Sequence, residues 1–325
     1  MKILIDTFGA DEGSKVLVDG AILALKQKDF IPVFVGNESE LEKLIDGKIK
    51  DYEIIHTYEY ISNDEDPVRA IRRKKNSSLV LAYNKLNEEG YEGLLSAGST
   101  GGLLAGGIFI SKRIDGIDRP SLAAPLPSIG AYTMLMDTGA NMDCKPAYLA
   151  EFAIMGKVFL ENVIHIKNPS IGLLNVGVES HKGNKLTKEA YELLSNSKLN
   201  FVGNVEARDL FTGKVNVIVA DGFAGNIAIK SAEGVISLFK AQMKEVFYKS
   251  LKNKLAALAI KDDLAKQMGK FSSQNIGGVP LLGVKSYVYK AHGNSNAIAI
   301  SNAILGLIEY INMDVINKIQ GELND

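Results

Sequence analysis

The feature that most constrains this chain is an alternation. Short apolar runs rich in β-branched residues recur at KILID (2–6), IPVFVG (31–36), YEIIH (52–56), GLLSAG (93–98), TMLMDTG (133–139), SIGLLNVG (170–177), LNFVGNVE (199–206) and VNVIVADG (215–222). Between most of them lie stretches of helical periodicity, at 14–28, 38–46, 67–88, 101–112, 147–162 and 185–196. Strands with no polar face must be covered on both sides, so this order predicts a parallel, doubly wound sheet in a three-layer α/β/α arrangement. At 325 residues and 46% apolar content, the chain can bury a large core, and a single α/β domain is expected over 1–325.

The predicted strands end repeatedly in polar or small residues: Asp6, Gly98, Asp137, Asn175, Glu206 and Asp221. Ligands of open parallel sheets sit outside the carboxyl ends of the strands, so these positions are expected to converge on one rim. The same residue types also make turns and cap helices, which is the competing explanation for any one of them.

Beyond Gly222 the pattern changes to one or two long helices over 226–270, a helical excursion from the sheet. Ile229, Val235, Ile236, Phe239, Met243, Val246, Leu251, Leu255 and Leu258 recur there at helical steps, with Lys240, Lys244, Lys249, Lys252 and Lys254 interspersed. A packed or dimer-forming face with solvated lysines is one expectation, and a basic amphipathic surface lying on an anionic membrane is the other. A last helix is predicted at 293–311, after YKAHGNSNA.

Charge and cysteine content narrow the function classes. A net charge of -1 argues against bulk binding of nucleic acid, which needs a basic face to neutralise phosphates. Cys144 is the sole cysteine, the start MKILIDTFGAD has no signal-peptide character, and no apolar run reaches membrane-spanning length. A cytoplasmic protein is expected.

GLLSAGSTGGLLAGGIF (93–109) fits a strand, a bare turn and a helix start. Helix N-termini carry unpaired N–H groups at the positive end of the dipole, and glycine lets an anion approach closely. The turn is not a nucleotide P-loop, because Ser99 and Thr100 stand where Lys and Ser/Thr are required. No GxGxxG fingerprint occurs, which counts against a dinucleotide dehydrogenase. In MDTGANMDCKP (136–146), Cys144 beside Lys145 is a conceivable acyl acceptor, but with no histidine near it in sequence a structural cysteine is expected. The four histidines are scattered without ligand spacing, so no metal or other cofactor is expected. RAIRRKK (69–75) is either a solvated helix face or a surface for an acidic partner.

Several motifs, in order along almost the whole chain, resemble the bacterial phosphate acyltransferase (PlsX) family: DTFGAD (6–11), SAGSTG (96–101), GIDRPSLA (116–123), DTGANMDCKP (137–146), GLLNVG (172–177), KGNKLTKEAYELL (182–194), FVGNVEARDLFTGKVNVIVADGFAGN (201–226) and VPLLGV (279–284). The resemblance implies transfer of a long fatty acyl group from acyl carrier protein to inorganic phosphate for phospholipid synthesis. It also implies a fold like the phosphotransacetylases and isocitrate/isopropylmalate dehydrogenases, a homodimer, and peripheral contact with the membrane. Ser99 stands where the family usually has Asn, Thr7-Phe8 and Ala10 depart from its D-A-M-G-G-D, and Val178, Ser180, His181 and Lys185 alter the loop around Lys182.

On this basis phosphate is expected on the turn Gly98, Ser99, Thr100 and Gly101, with Lys182 and Asn226 stabilising the anionic intermediate and Asp221 and Asp137 orienting these groups. Asp6, Gly9, Asn141, Asn175, Gly183, Asn184 and Glu206 complete the expected binding set. Two other functions compete: a phosphotransacylase acting on short-chain acyl-CoA, and a non-catalytic scaffold that binds the carrier protein.

Overall fold

The computed structural model describes residues 1–269 and 277–324. The first half contains β1 (Lys2–Asp6), α1 (Ser14–Leu25), β2 (Ile31–Gly36), α2 (Glu38–Ile45), β3 (Glu53–His56), α3 (Pro67–Arg73), α4 (Ser78–Leu86), β4 (Gly93–Ser96) and α5 (Thr100–Gly106), which runs on as a π-helical turn to Ser111. Two short strands follow, β5 (Ser121–Leu122) and β6 (Ala124–Leu126). The second half adds β7 (Thr133–Met136), α6 (Pro146–Asn162), β8 (Ile171–Asn175), α7 (Lys185–Ser195), β9 (Phe201–Glu206), β10 (Val217–Val219), α8 (Gly222–Tyr248) and α9 (Leu251–Gly269). The chain closes with β11 (Gly278–Leu282), β12 (Tyr287–Ala291), α10 (Ala297–Asn312) and α11 (Val315–Asn324).

The strands form two sheets, ordered β3-β2-β1-β4-β12-β11-β5 and β6-β7-β10-β8-β9. The expectation of one parallel sheet is therefore corrected. Pairs β11–β12, β11–β5 and β6–β7 are antiparallel, and the contiguous segment 121–126 leaves one sheet and enters the other. Nothing in the local pattern of SLAAPL announces such short strands, because each is held by partners far away in sequence.

Alternate residues of each strand feed opposite helix layers, which is what puts the sheets in the middle of three layers. Ile3 and Ile5 join the core formed with α1 and α10, while Leu4 joins the opposite one under α4 and α5. Met134, Met136, Val217 and Val219 belong to the same first core, so one apolar layer runs across both sheets. Leu135 and Ile218 face a third, smaller cluster, against which Ala224, Ala228 and Ile229 from the first turns of α8 pack.

Three predicted helices are adjusted. The stretch 67–88 is two helices, because its middle is gripped from outside: Ser78 N donates to Glu59 O (2.8 Å), and Thr57 Oγ1 donates to Asn76 O (2.6 Å). The stretch 226–270 is α8 and α9, beginning at Gly222, and its last residue, 270, lies outside the described residues. The final predicted helix starts at Ala297, capped by Asn296, whose side chain accepts from Ala299 N.

Candidate active site

The carboxyl ends of the two sheets face each other across a cleft of about 700 Å³. One wall comes from the seven-stranded sheet, with Asp11, Thr100, Lys290, His292 and Gly293. The other comes from the β7 exit and α8, with Thr138, Asn226, Ile229, Lys230 and Ile236. Leu122 and the β6 segment from Ala124 to Pro127 lie between them.

The first wall is built by close backbone approach. Gly9 has φ +86°, and a Cβ there would lie 2.3 Å from Gly98 Cα. Asp11 N donates to Gly293 O (2.8 Å), tying the β1 exit to the β12 exit. Beneath them Asp6 is buried, accepting from Ser96 Oγ (2.7 Å) and Phe8 N (3.3 Å). Burial pushes its carboxyl above the usual range, against the pull of those hydrogen bonds.

The turn at Gly98–Gly101 is only partly open. Gly98 N donates to Ser96 Oγ (3.1 Å), and Ser99 caps α5 by accepting from Gly102 N (3.2 Å). The amides of Thr100 and Gly101 sit in the first helical turn, where no intrahelical acceptor exists. Ser99 thus does the work an Asn would do at an N-cap.

The second wall depends on a buried node. Asp137 is 0% exposed and accepts from Ser121 Oγ, Leu122 N, Thr138 N, Asn141 N and Asn141 Nδ2. Desolvation pushes its carboxyl upward, with the hydrogen bonds opposing. Asn141 also donates to Pro120 O (2.8 Å), and its own carbonyl accepts from Gly222 N (2.7 Å). Asp221 caps α8 by accepting from Ala224 N (2.7 Å). Together these contacts seat the start of α8 on the β7 exit and bring Asn226 beside Gly139. Asp137, Asn141 and Asp221 therefore act through the backbone they fix.

A separate loop carries Lys182. Asn175 Nδ2 donates to Lys182 O (3.2 Å) and to Asn204 Oδ1 (3.1 Å), and Asn184 caps α7 by accepting from Thr187 N (2.9 Å). Gly183 is required there, since a Cβ at its φ of +98° would meet Thr187 Oγ1 at 2.1 Å. Lys182 is exposed, and neither it nor Asn175, Gly183, Asn184 or Glu206 lines the cleft. Glu206 pairs with Arg208.

Of the predicted set, Thr100 and Asn226 thus line the cleft. Asp6, Gly9, Gly98, Ser99, Gly101, Asp137, Asn141 and Asp221 belong to its framework, and the Lys182 group stands apart. Lys290, His292 and Asp11 were missed as site residues; the signal was YKAHGNSNA, which led into a helix as the other rim segments do. Cys144 has its thiol pushed up to about 12 by burial and by the nearby Asp137, consistent with a structural role. Among the described residues no cluster of His, Cys, Asp or Glu is suited to a metal ion.

The family model described as "Fatty acid synthesis protein" matches residues 1–318. A phosphate acyltransferase of Thermoanaerobacterium thermosaccharolyticum is 43% identical over 323 residues, covering 99% of this chain and 97% of its own. One of Clostridioides difficile is 45% identical over 323 residues, covering 98% and 95%. Among solved structures, a phosphotransacetylase from Streptococcus pyogenes superposes with a TM-score of 0.60 at 20% identity, over 95% of this chain and 94% of that one. A branched-chain phosphotransacylase from Enterococcus faecalis gives 0.59 at 13% identity, over 96% and 99%. The structural likeness fixes the three-layer α/β/α fold, and the match along nearly the whole sequence places the chain in the phosphate acyltransferase family.

Proposed function

We propose that this protein transfers a long-chain fatty acyl group from acyl carrier protein to inorganic phosphate, giving acyl phosphate for phospholipid synthesis. The observation that carries this reading is the double character of one cleft. It offers polar groups suited to a small anion (Thr100, Thr138, Asn226, Lys290) and an apolar surface suited to an acyl chain (Leu122, Ala124, Leu126, Ile229, Ala232, Ile236). A short acyl donor needs only the first, so the long-chain reading is favoured over a short-chain acyl-CoA phosphotransacylase.

Phosphate brings its own nucleophilic oxygen and the thioester brings a good leaving group. Attack forms a C–O bond, passes through an anionic tetrahedral intermediate, and expels the carrier thiolate, which then takes a proton. The protein's task is positioning and charge neutralisation, with no cofactor. In this scheme the anion sits on the amides of the 98–101 turn and Asn226 donates across the cleft. Lys182 reaches the intermediate only if its loop closes toward α8. The arginines of α3, Arg69, Arg72 and Arg73, flank a surface hollow beside Asp66, and Pro67 packs on Gly101, so an acidic carrier docked there delivers its thioester next to the turn.

The consecutive helices α8 and α9 expose Val235, Phe239, Val246, Leu251, Leu255 and Leu258, an apolar surface larger than a solvated helix needs. We assign it to the homodimer interface and to peripheral contact with the inner face of the membrane, the remainder of the protein lying in the cytoplasm. No single described helix is long and apolar enough to cross a membrane. The deciding experiment incubates the protein with phosphate and either palmitoyl carrier protein or a short acyl-CoA and follows free thiol. Phosphate-dependent release from the carrier donor alone is expected; release only from the short acyl-CoA, or from neither donor, overturns the reading.

A further inference from the structure

Lys290 stands one residue before the end of β12, between the exit of β4 and the start of the antiparallel β11, and its side chain lines the sheet-end wall of the cleft. Its Nζ donates to Ala97 O (3.2 Å) and to Ala291 O. That position is directly beneath the 98–101 turn. An ammonium has three donors, and with two held by carbonyls the third remains for the cleft. Lys290 forms no ion pair among the described residues, whereas Lys230, across the cleft, is paired with Glu233 (2.8 Å). The remaining cleft lysine, Lys240, is exposed on α8, as is Lys230, so half-buried Lys290 is the least exposed of the cleft lysines.

We propose that Lys290 is a phosphate-binding residue of this site, its ammonium holding the anion against the amides of Thr100 and Gly101. The inference rests on the functional reading above and deepens it, because it places the fixed positive charge on the seven-stranded sheet and not only on the Lys182 loop. A partly desolvated ammonium that forms no ion pair is a costly group to keep, and a bound dianion supplies a direct counter-charge. Burial holds Lys290 down to about 8, with Asp6 and Asp11 pulling the other way. The groups that face it are Asp6 on the β1 exit, Asp11 on the following loop and His292 on its own segment, while Lys230 and Glu233 on α8 face His292 in the same cleft. A lysine held low is charged below that value and neutral above it, so anion affinity is expected to fall as pH rises through about 8.

The test compares the wild type, Lys290→Met and Lys290→Arg as full-length proteins, with phosphate varied at saturating acyl donor. Loss of a charge-assisted hydrogen bond predicts a rise in the phosphate KM of roughly 10- to 100-fold in K290M, with the acyl-donor KM within about twofold. K290R, charged at every accessible pH, is expected to recover much of that loss and to lose the upward drift of phosphate KM that the wild type shows above about pH 8. Phosphate's own ionisation is common to both proteins and cancels in the comparison. An unchanged phosphate KM in K290M, or parallel pH profiles for wild type and K290R, overturns the proposal, and the second comparison decides alone if K290M does not fold. If the wild type releases no thiol with phosphate, it is the functional reading that fails. Lys290 is then judged by calorimetric titration with inorganic phosphate, where equal affinity of wild type and K290M, or no binding by either, overturns it.

Discussion

Replacing Gly9 by alanine tests whether the contact between two loops sets the geometry of the 98–101 turn, the proposed phosphate site. Gly9 has φ +86°, where an L-residue costs roughly 1–2 kcal/mol. The added Cβ would lie 2.3 Å from Gly98 Cα and 3.0 Å from Gly98 N. Carbon atoms in ordinary contact stand about 3.5 Å or more apart, so the two loops must separate by roughly 1 Å. Gly98 cannot retreat freely, because Ser96 Oγ and Asp6 Oδ2 lie beneath it at 3.3 and 3.5 Å from its own Cβ position. The expected result is a loss of roughly 2–4 kcal/mol in urea unfolding, and a fall of about 100-fold in kcat/KM for phosphate, the penalty typical of a 1 Å displacement of a reacting group. Gly13→Ala is the control: φ is +72°, but nothing lies within 4 Å of the added Cβ. It should lose about 1–3 kcal/mol and keep its activity within twofold. A Gly9→Ala protein with wild-type turnover, or a Gly13→Ala protein equally inactive, would refute the close-approach account.

Three further outcomes are expected. Lys182→Ala should lower kcat by roughly 100-fold or more if its loop reaches the developing oxyanion, and near-normal turnover in that variant would remove Lys182 from the chemistry. Cys144, with its thiol pushed up to about 12, should resist iodoacetamide at pH 8 in the folded protein and form no acyl-enzyme in rapid-quench mass spectrometry; a trapped thioester there would replace direct attack with a two-step mechanism. Leu251→Asp with Leu255→Asp, at positions 74% and 61% exposed, should abolish co-sedimentation with anionic vesicles, and retained sedimentation would remove this α9 surface from membrane contact.

How much of this was legible in the sequence depends on whether the cause was local. β1, β2 and the buried part of β8 were visible because fully covered strands leave continuous apolar runs, and KILID and IPVFVG coincide with β1 and β2. The amphipathic face of α8 was visible for the same reason, through its period. β5 and β6 were not, since two- and three-residue strands exist only through Leu281, Leu282, Met134 and Leu135 beside them. The break in the predicted 67–88 helix was equally hidden: Thr57 and Glu59 impose it from another element. The strand order, and with it the fact of two sheets, is likewise a property of long-range pairing.

The site divides along the same line. Ser99, Asn184 and Asp221, expected from the sequence as binding or catalytic residues, carry the local signature of caps, and each holds a helix start. Lys290 has no such signature, because an isolated lysine at the end of an alternating run reads as a solvated strand end. Only the folded chain shows it donating to the carbonyl of Ala97, 193 residues away and next to the 98–101 turn. A charge placed in that way is invisible to spacing, since what distinguishes it is partial burial with its donors on two backbone carbonyls and no ion pair among the described residues. For sites built where sheet ends converge, the capping residues mark the rim, and the half-buried cation on that rim is where the proposed anion is to be sought.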